Sequence, residues 1–407
     1  MRLNRIIANV TVLLQSIRSE ARRLLCILSI FQFFSLSILS TSCERKPLLH
    51  LYDEGDVSLD LPIVDLDLQV YWDYEIGYDI TYDWRAEWYY GWDETDQSIF
   101  GPIGYTEPSI FELRRYYTGD TPLAPHNSVL ATTIAGHSFQ GQYEWGFWDI
   151  LVWNQVYTLD GVQSLHFDEE STLDQVTAYT NPSMHASRYH APRYTQAFYE
   201  PEPLFAAYDR AIEINRNLDG FIFDEERNVW VKTLGMELLP ITYIYLPQII
   251  LHHNNGRITS VQGDGNISGM ARTTVVNTGQ AGPDAIAVYF HTRMKPHCDK
   301  AGEDVDIIGG RLMTFGITNT AANRISRADD LADANRHYLD VTMQFNNGMD
   351  STFVFDVTRQ VRQRYKGGVI TVELDMDTVP IPRRRGGSGF DAVVKDFEDG
   401  GTHEFEM

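Results

Sequence analysis

The pattern of apolar and polar positions along this chain is that of β-strands. In "VDLDLQVYWDYE", Val64, Leu66, Leu68 and Val70 fall on one side, and Asp65, Asp67 and Gln69 on the other. A period of two marks a half-buried strand. "WDILVWNQVYTL", 148 to 159, is a denser apolar and aromatic run of strand type. Further on, Leu339, Val341, Met343 and Phe345 alternate, Asn347-Gly348 follows, and Phe353, Phe355 and Val357 alternate again. Asn-Gly between two alternating runs predicts a hairpin. "GGVITVELDM" supplies a last strand, with Ile370, Val372 and Leu374 on one side.

Only "PEPLFAAYDRAIEI", 201 to 214, has the spacing of a helix. Before it lies "YTNPSMHASRYHAPRYTQAFYEPEP", rich in proline and weakly periodic, which places a domain boundary between about 195 and 232. Closely spaced strands, turn-rich connections and no alternating helices predict an all-β chain of two antiparallel sandwiches. The expected division is a segment at 43–62, an N-terminal sandwich at 63–200, a linker with a short helix at 201–232 and a C-terminal sandwich at 233–407. "RRRGGSG", 383 to 389, reads as a loop before a final strand or tail.

Residues 1–42 have a different pattern. "LLCILSIFQFFSLSIL", 24 to 39, is uncharged, preceded by Arg18, Arg22 and Arg23 and followed by Ser40, Thr41 and Ser42. Its helical length of about 24 Å falls short of a hydrocarbon core of roughly 30 Å. Basic flank, apolar core and small-residue end make a secretory signal at 1–42; the alternative is an uncleaved anchoring helix. "LSTSC" resembles a bacterial lipobox, with Ser40 where Leu is more usual. It makes Cys43 the expected lipidated first residue, carrying palmitate or similar chains. A diacylglycerol plus an amide-linked chain supplies the two insertions that stable anchoring needs.

Removal of that segment takes away five arginines and one glutamate. From Cys43 on, 28 basic side chains face 55 acidic ones, a formal charge of −27. That balance argues against nucleic acid as a partner, because phosphate is repelled. Cys26 lies inside the signal, so Cys298 is left without an intramolecular partner. The fold must rest on its apolar core.

Several stretches in order resemble the fimbrillin-related outer-membrane lipoproteins of Bacteroidales, in the branch near the fimbrial anchor subunits. They are the lipobox, "SFQGQYEWGFWDILVWN", "LPQIILHHNNGRITSVQGDGNISGMARTTVV", "GRLMTFGI" and "YLDVTMQFNNGMDSTFVFDVTRQVRQRYKGGVITVELD". The resemblance spans about Cys43 to Phe390. It implies two transthyretin-like (Ig-like) sandwiches, a lipid anchor in the outer membrane, display at the cell surface, and fimbrial subunits as partners by strand addition. In such a family, shaft subunits are trimmed after a basic residue beyond the first strand, and here Arg85 takes that place. Glu44, Arg45 and Lys46 follow Cys43, a mixed signal for outward display. The stretches also read physically: glycines in "GNISGMA" permit a bulge with Met270 packed inward, and Asp356 or Thr358 can accept backbone N–H bonds.

Candidate chemistry is sparse. Ten of the 22 residues from Tyr71 to Trp92 are aromatic, interleaved with acids. Aromatic faces with carboxylates can hold sugars, so Trp84, Trp88, Tyr89 and Trp92 are candidates for glycan binding. The competing reading is an aromatic strand and hairpin packed across a sandwich. "GHSFQG" fails as a nucleophile elbow because Gln140 stands where glycine is needed, with Gly141 one place late. His291, His297 and Cys298, and the adjacent His252-His253, match no trusted zinc spacing. Neither a metal nor another cofactor is expected, and no enzyme activity. Asp350-Ser351-Thr352 and Asp377-Thr378-Val379 resemble short O-glycosylation signals of this bacterial group.

Overall fold

A computed structural model describes residues 63–70, 84–126, 128–155, 164–168, 172–183, 196–321, 323, 327, 331 and 335–382. The signal, Cys43, the aromatics from Tyr71 to Tyr82 and the tail from 383 lie outside the described residues. In the first half the strands are β1 (Ile63–Val70), β2 (Ile110–Gly119), β3 (Ser128–Ala135), β4 (Ser138–Gln142) and β5 (Gly146–Asn154). They continue with β6 (Leu165–Asp168), β7 (Thr177–Thr180), β8 (Ala197–Phe198), β9 (Phe205–Ile214), β10 (Ile222–Asp224) and β11 (Val229–Pro240). The second half holds β12 (Tyr243–His252), β13 (Ile258–Ala271), β14 (Thr273–Val275), β15 (Gln280–Ala281) and β16 (Ala285–Lys300). It ends with β17 (Glu303–Gly310), β18 (Leu312–Thr314), β19 (Tyr338–Phe345), β20 (Asp350–Asp356) and β21 (Gly368–Asp375). Helices are short: α1 (Trp84–Glu87), α2 (Glu94–Phe100) and α3 (Thr358–Gln363).

The chain is all-β, and two long strands turn its sheets into sandwiches. β11 runs beside β1 over most of its length, then pairs β9 through Leu239 and Pro240. It thereby joins the layer β10-β11-β1-β4 to the layer β3-β2-β5-β9. Val64, Phe111, Leu113, Ile150, Val152, Phe205 and Leu238 fill the space between them. β16 does the same in the second half. Residues 285 to 291 pair β13, and residues 292 to 300 pair β17. A core of Tyr245, Ile249, Ile267, Phe290, Val341, Phe353, Phe355, Ile370 and Val372 lies between these layers. Pairing is mostly antiparallel, with β1/β11, β12/β21 and β8/β16 parallel. A small sheet of β15, β14, β7 and β6, drawn from both halves, covers the outer face of β5 through Leu151 and Trp153.

β19 and β20 form the expected hairpin, with Gly348 at φ 74° in its turn. Gly269, at φ 79°, makes the bulge of "GNISGMA", and Met270 behind it is fully buried. Thr358 donates its N–H to Asp356 Oδ1 at 2.9 Å, as the turn chemistry requires. The expected helix at 201–214 is instead β9, and the expected linker at 201–232 is woven into the first sandwich. Opposite Asp149, β9 bulges: Ile212 faces Trp148 and Asp209 faces Ile150. Ala211 sits there at φ 54° and donates its N–H to Asp149 Oδ1. The bulge breaks the alternation of two, and with Phe205 and Ala206 facing different cores no single apolar side remains to be read.

One buried histidine ties stability to pH. His337 lies just before β19, fully buried, with its Nδ1–H donating to the Ser268 carbonyl at 3.1 Å. Its Nε2 has no hydrogen-bond partner. Burial pulls its pKa from 6.5 down to about 4. The unfolded chain therefore takes up the proton first as pH falls from 6.5 toward 4, and folding loses about 3 kcal/mol over that span. Denaturant unfolding at pH 7 and 4.5 should show this loss in the wild type and a smaller one in His337→Gln. Equal losses in both would remove His337 as the cause.

Candidate functional site

The segment after the first strand holds the described candidates for glycan binding and processing, Trp84, Arg85, Trp88, Tyr89 and Trp92. β1 lies inside its sheet, parallel to β11 from Ile63↔Val231 to Val70↔Leu238 and antiparallel to β4 from Ile63↔Gln142 to Asp67↔Ser138. Val64 is fully buried, Asp65 half-buried and Asp67 exposed, in keeping with the alternation.

Trp84 opens α1 and is 5% exposed; Trp88 is 8% exposed and Tyr90 2%. Trp88 and Tyr90 pack ring to ring at 5.3 Å, while Tyr89 and Trp92 are half-buried against the same core. These rings stand over the outer face of β12 and β17. Along β12, Ile244, Leu246 and Ile250 point toward them, and Tyr245, Ile249 and Leu251 point into the second sandwich. A sheet apolar on both faces must be covered on both. The aromatic segment is that cover, so the four glycan candidates pack into protein. Trp84 and Trp88 have no free face to stack on a sugar.

Polar groups fix the segment in place. Gln248, fully buried on β12, accepts the N–H groups of Tyr89 and Tyr90 at 3.0 and 3.2 Å through Oε1. Its Nε2 donates to the Glu87 carbonyl at 2.6 Å and to Thr371 Oγ1 at 2.9 Å. Gly309 of β17 leaves room for the Tyr90 ring; a Cβ there would lie 2.6 Å from it. Asp93 caps α2 through the Asp96 N–H at 2.9 Å, and Asp96 returns the bond to the Asp93 N–H. Asp96 is completely buried and accepts from Tyr90 Oη at 2.8 Å and from Arg293 Nη1 at 2.8 Å. Lys295 Nζ also pairs with Asp96, lies 4.0 Å over the Tyr90 ring and donates to the Tyr90 carbonyl. The Asp96 backbone N–H, with Lys295 and Arg293, holds the Asp93 carboxyl well below the usual range. Burial, then the Asp96 carboxylate, pushes the Tyr90 hydroxyl far up.

Arg85 is exposed, with its guanidinium 4.7 Å over the Trp84 ring. Its peptide bond to Ala86 lies within the single turn of α1, between two buried tryptophans. Sequence reading missed Asp96, Gln248, Arg293 and Lys295. The Asp93-x-x-Asp96 spacing ahead of "SIF" carried the cap; nothing local pointed to its partners about 200 residues away.

No family model matches the chain, and no curated protein does. Among solved structures it is similar to a candidate adhesin from Bacteroides ovatus, at 14% identity and TM-score 0.46, over 80% of this chain and 94% of that one. It is similar to the fimbrial anchor protein Mfa2 of Porphyromonas gingivalis at 10% identity and TM-score 0.36, over 77% and 90%. A Bacteroides thetaiotaomicron protein described as a candidate polysaccharide-binding protein aligns at 8% identity and TM-score 0.36, over the same shares. These are the kinds of protein that the sequence resemblance implies.

If the aromatic segment is a cover, Trp88→Ala costs about 3–5 kcal/mol, as for a large ring removed from a core. Urea unfolding followed by circular dichroism measures it. An unchanged midpoint would return Trp88 to the surface.

Proposed function

We propose that this chain is a non-enzymatic, outer-membrane lipoprotein that serves as a fimbrial anchor or accessory subunit and meets its partners through β-strand contacts. The observation that carries the reading is the place of β1, hydrogen-bonded on both sides with Val64 in the core. A shaft subunit surrenders its first strand and has a neighbour's strand fill the gap. An anchor keeps it. Here its loss would separate β11 from β4 and open a slot in the middle of a layer. The position of Arg85 points the same way. A protease needs an extended stretch of chain, and presenting the Arg85–Ala86 bond means unwinding α1 and drawing Trp84 out of the core. The sequence resemblance and the Cys43 lipobox supply the rest: membrane attachment by lipid, outward display, and fimbrial subunits as partners.

Mass spectrometry of the protein from native membranes separates the roles. The anchor reading expects an acylated N-terminus at Cys43 and no cut after Arg85. A mature N-terminus at Ala86, in ladders that survive mild SDS, would make this a polymerising subunit.

Attachment has its own test. Cys43→Ser should abolish labelling by palmitate and release the chain from membranes; unchanged labelling would put the lipid elsewhere.

A further inference from the structure

Away from Asp96 and its partners, titratable side chains gather where β12 turns into β13. Parallel pairing sets His252 beside Asp375, at the ends of β12 and β21. His252 is fully engaged: its Nδ1 meets Glu303 at 2.8 Å, its Nε2 meets Glu373 at 3.1 Å, and Glu373 also binds Lys300. His253 follows at φ 52°. Its Nδ1 lies 3.0 Å from Asp375 Oδ1 and 3.9 Å from Asp377 Oδ2. All three ligand atoms lie within 4.8 Å of one another, the one such trio among the described residues.

We propose that His253, Asp375 and Asp377 form a surface site for a zinc-class divalent cation. Imidazole nitrogen with two carboxylate oxygens suits zinc and its neighbours, whereas calcium and magnesium take oxygen ligands. Tetrahedral bonds of about 2.0–2.2 Å set donor atoms roughly 3.3–3.5 Å apart. The two separations from Nδ1 lie on either side of that value, so small side-chain adjustments admit the ion. The carboxylates are held in advance. Asp375 Oδ1 accepts the Asp377 N–H at 3.0 Å, and Arg257 braces the turn through Asp377 Oδ1 at 3.1 Å and the Met376 carbonyl. Asp377 Oδ2 stays toward the imidazole. A fourth position is open to water, since all three residues are exposed.

Proton and metal compete for Nδ1. Asp375, then Asp377 and Glu303, raise the His253 pKa, while Arg257 and the neighbouring His252 are the basic groups nearby. Below that raised pKa, zinc affinity should fall about tenfold per pH unit, because binding releases one proton.

Isothermal titration of the full chain in detergent, at pH 7.5 and 5.5, tests the site with zinc, magnesium and calcium chloride. The expected result is one zinc per chain, weaker at pH 5.5, and no uptake of the other two. His253→Ala and Asp377→Asn should each weaken zinc by more than about tenfold. Their metal-free thermal unfolding should match the wild type, because both positions are exposed. His297→Ala, at another exposed histidine–carboxylate pair, should bind as the wild type does. Absence of zinc uptake, or uptake that survives His253→Ala, would overturn the proposal. So would equal loss in His297→Ala.

Discussion

Asp96 is a carboxylate with no exposed surface, on a seven-residue helix, and much of the molecule is arranged around it. Burying that charge is tolerable only because Arg293, Lys295 and the Tyr90 hydroxyl surround it. Two of those partners are on β16, which passes from one layer of the second sandwich to the other. The ion cluster therefore sets the segment 84–100 against a particular point of the sheet. Gln248 fixes the same segment a few residues earlier by holding three backbone groups. Between these two attachments the aromatic rings have one place to go.

The need for such a cover follows from β12. Its residues alternate between two cores, so this strand has apolar side chains to cover on both faces. A hydrophobic layer facing outward needs a lid, and Trp84, Trp88 and Tyr90 provide large area with few rotatable bonds. Polar contacts then select the register: a ring can slide over an apolar surface, but a buried carboxylate cannot leave its cations. The cluster is costly to break and specific in position, whereas the rings supply apolar cover. The sandwiches thus meet through one shared apolar core, to which Val64, Trp88, Ile244 and Val369 all belong.

What the sequence shows clearly is what has one wet face or one local signal. β1 and the β19–β20 hairpin follow from alternation, and Gly348 and Gly269 from turn and bulge chemistry. β9 is hidden because its bulge at Ala211 shifts the phase and because Phe205 and Ala206 face different cores. The aromatic run was ambiguous for a related reason. Composition alone cannot say whether a ring next to an acid faces water or faces Lys295. His253 and Asp375 are far apart in the chain and adjacent only through the parallel pairing of β12 and β21, so no spacing rule reaches them.

The same geometry bears on how the first strand could ever be exchanged. β1 leads, through residues outside the described set, into α1, and α1 is held by Trp84 in the core and by Glu87, whose carboxylate meets Arg364 at 2.5 Å. Extracting β1 from between β11 and β4 would leave this attachment untouched, because Trp88, Gln248 and the Asp96 cluster lie on its far side. The chain is thus divided at α1 into a strand held, among the described residues, by its sheet and by Val64, and a segment bonded across the molecule. Retention of β1 depends on backbone pairing and a few apolar side chains; retention of everything after Trp88 depends on buried charge as well. A cut at Arg85 would fall on that division. Such a cut would carry Trp84 away with β1 and thin the shared apolar core, while Trp88, Gln248 and the Asp96 cluster kept their contacts.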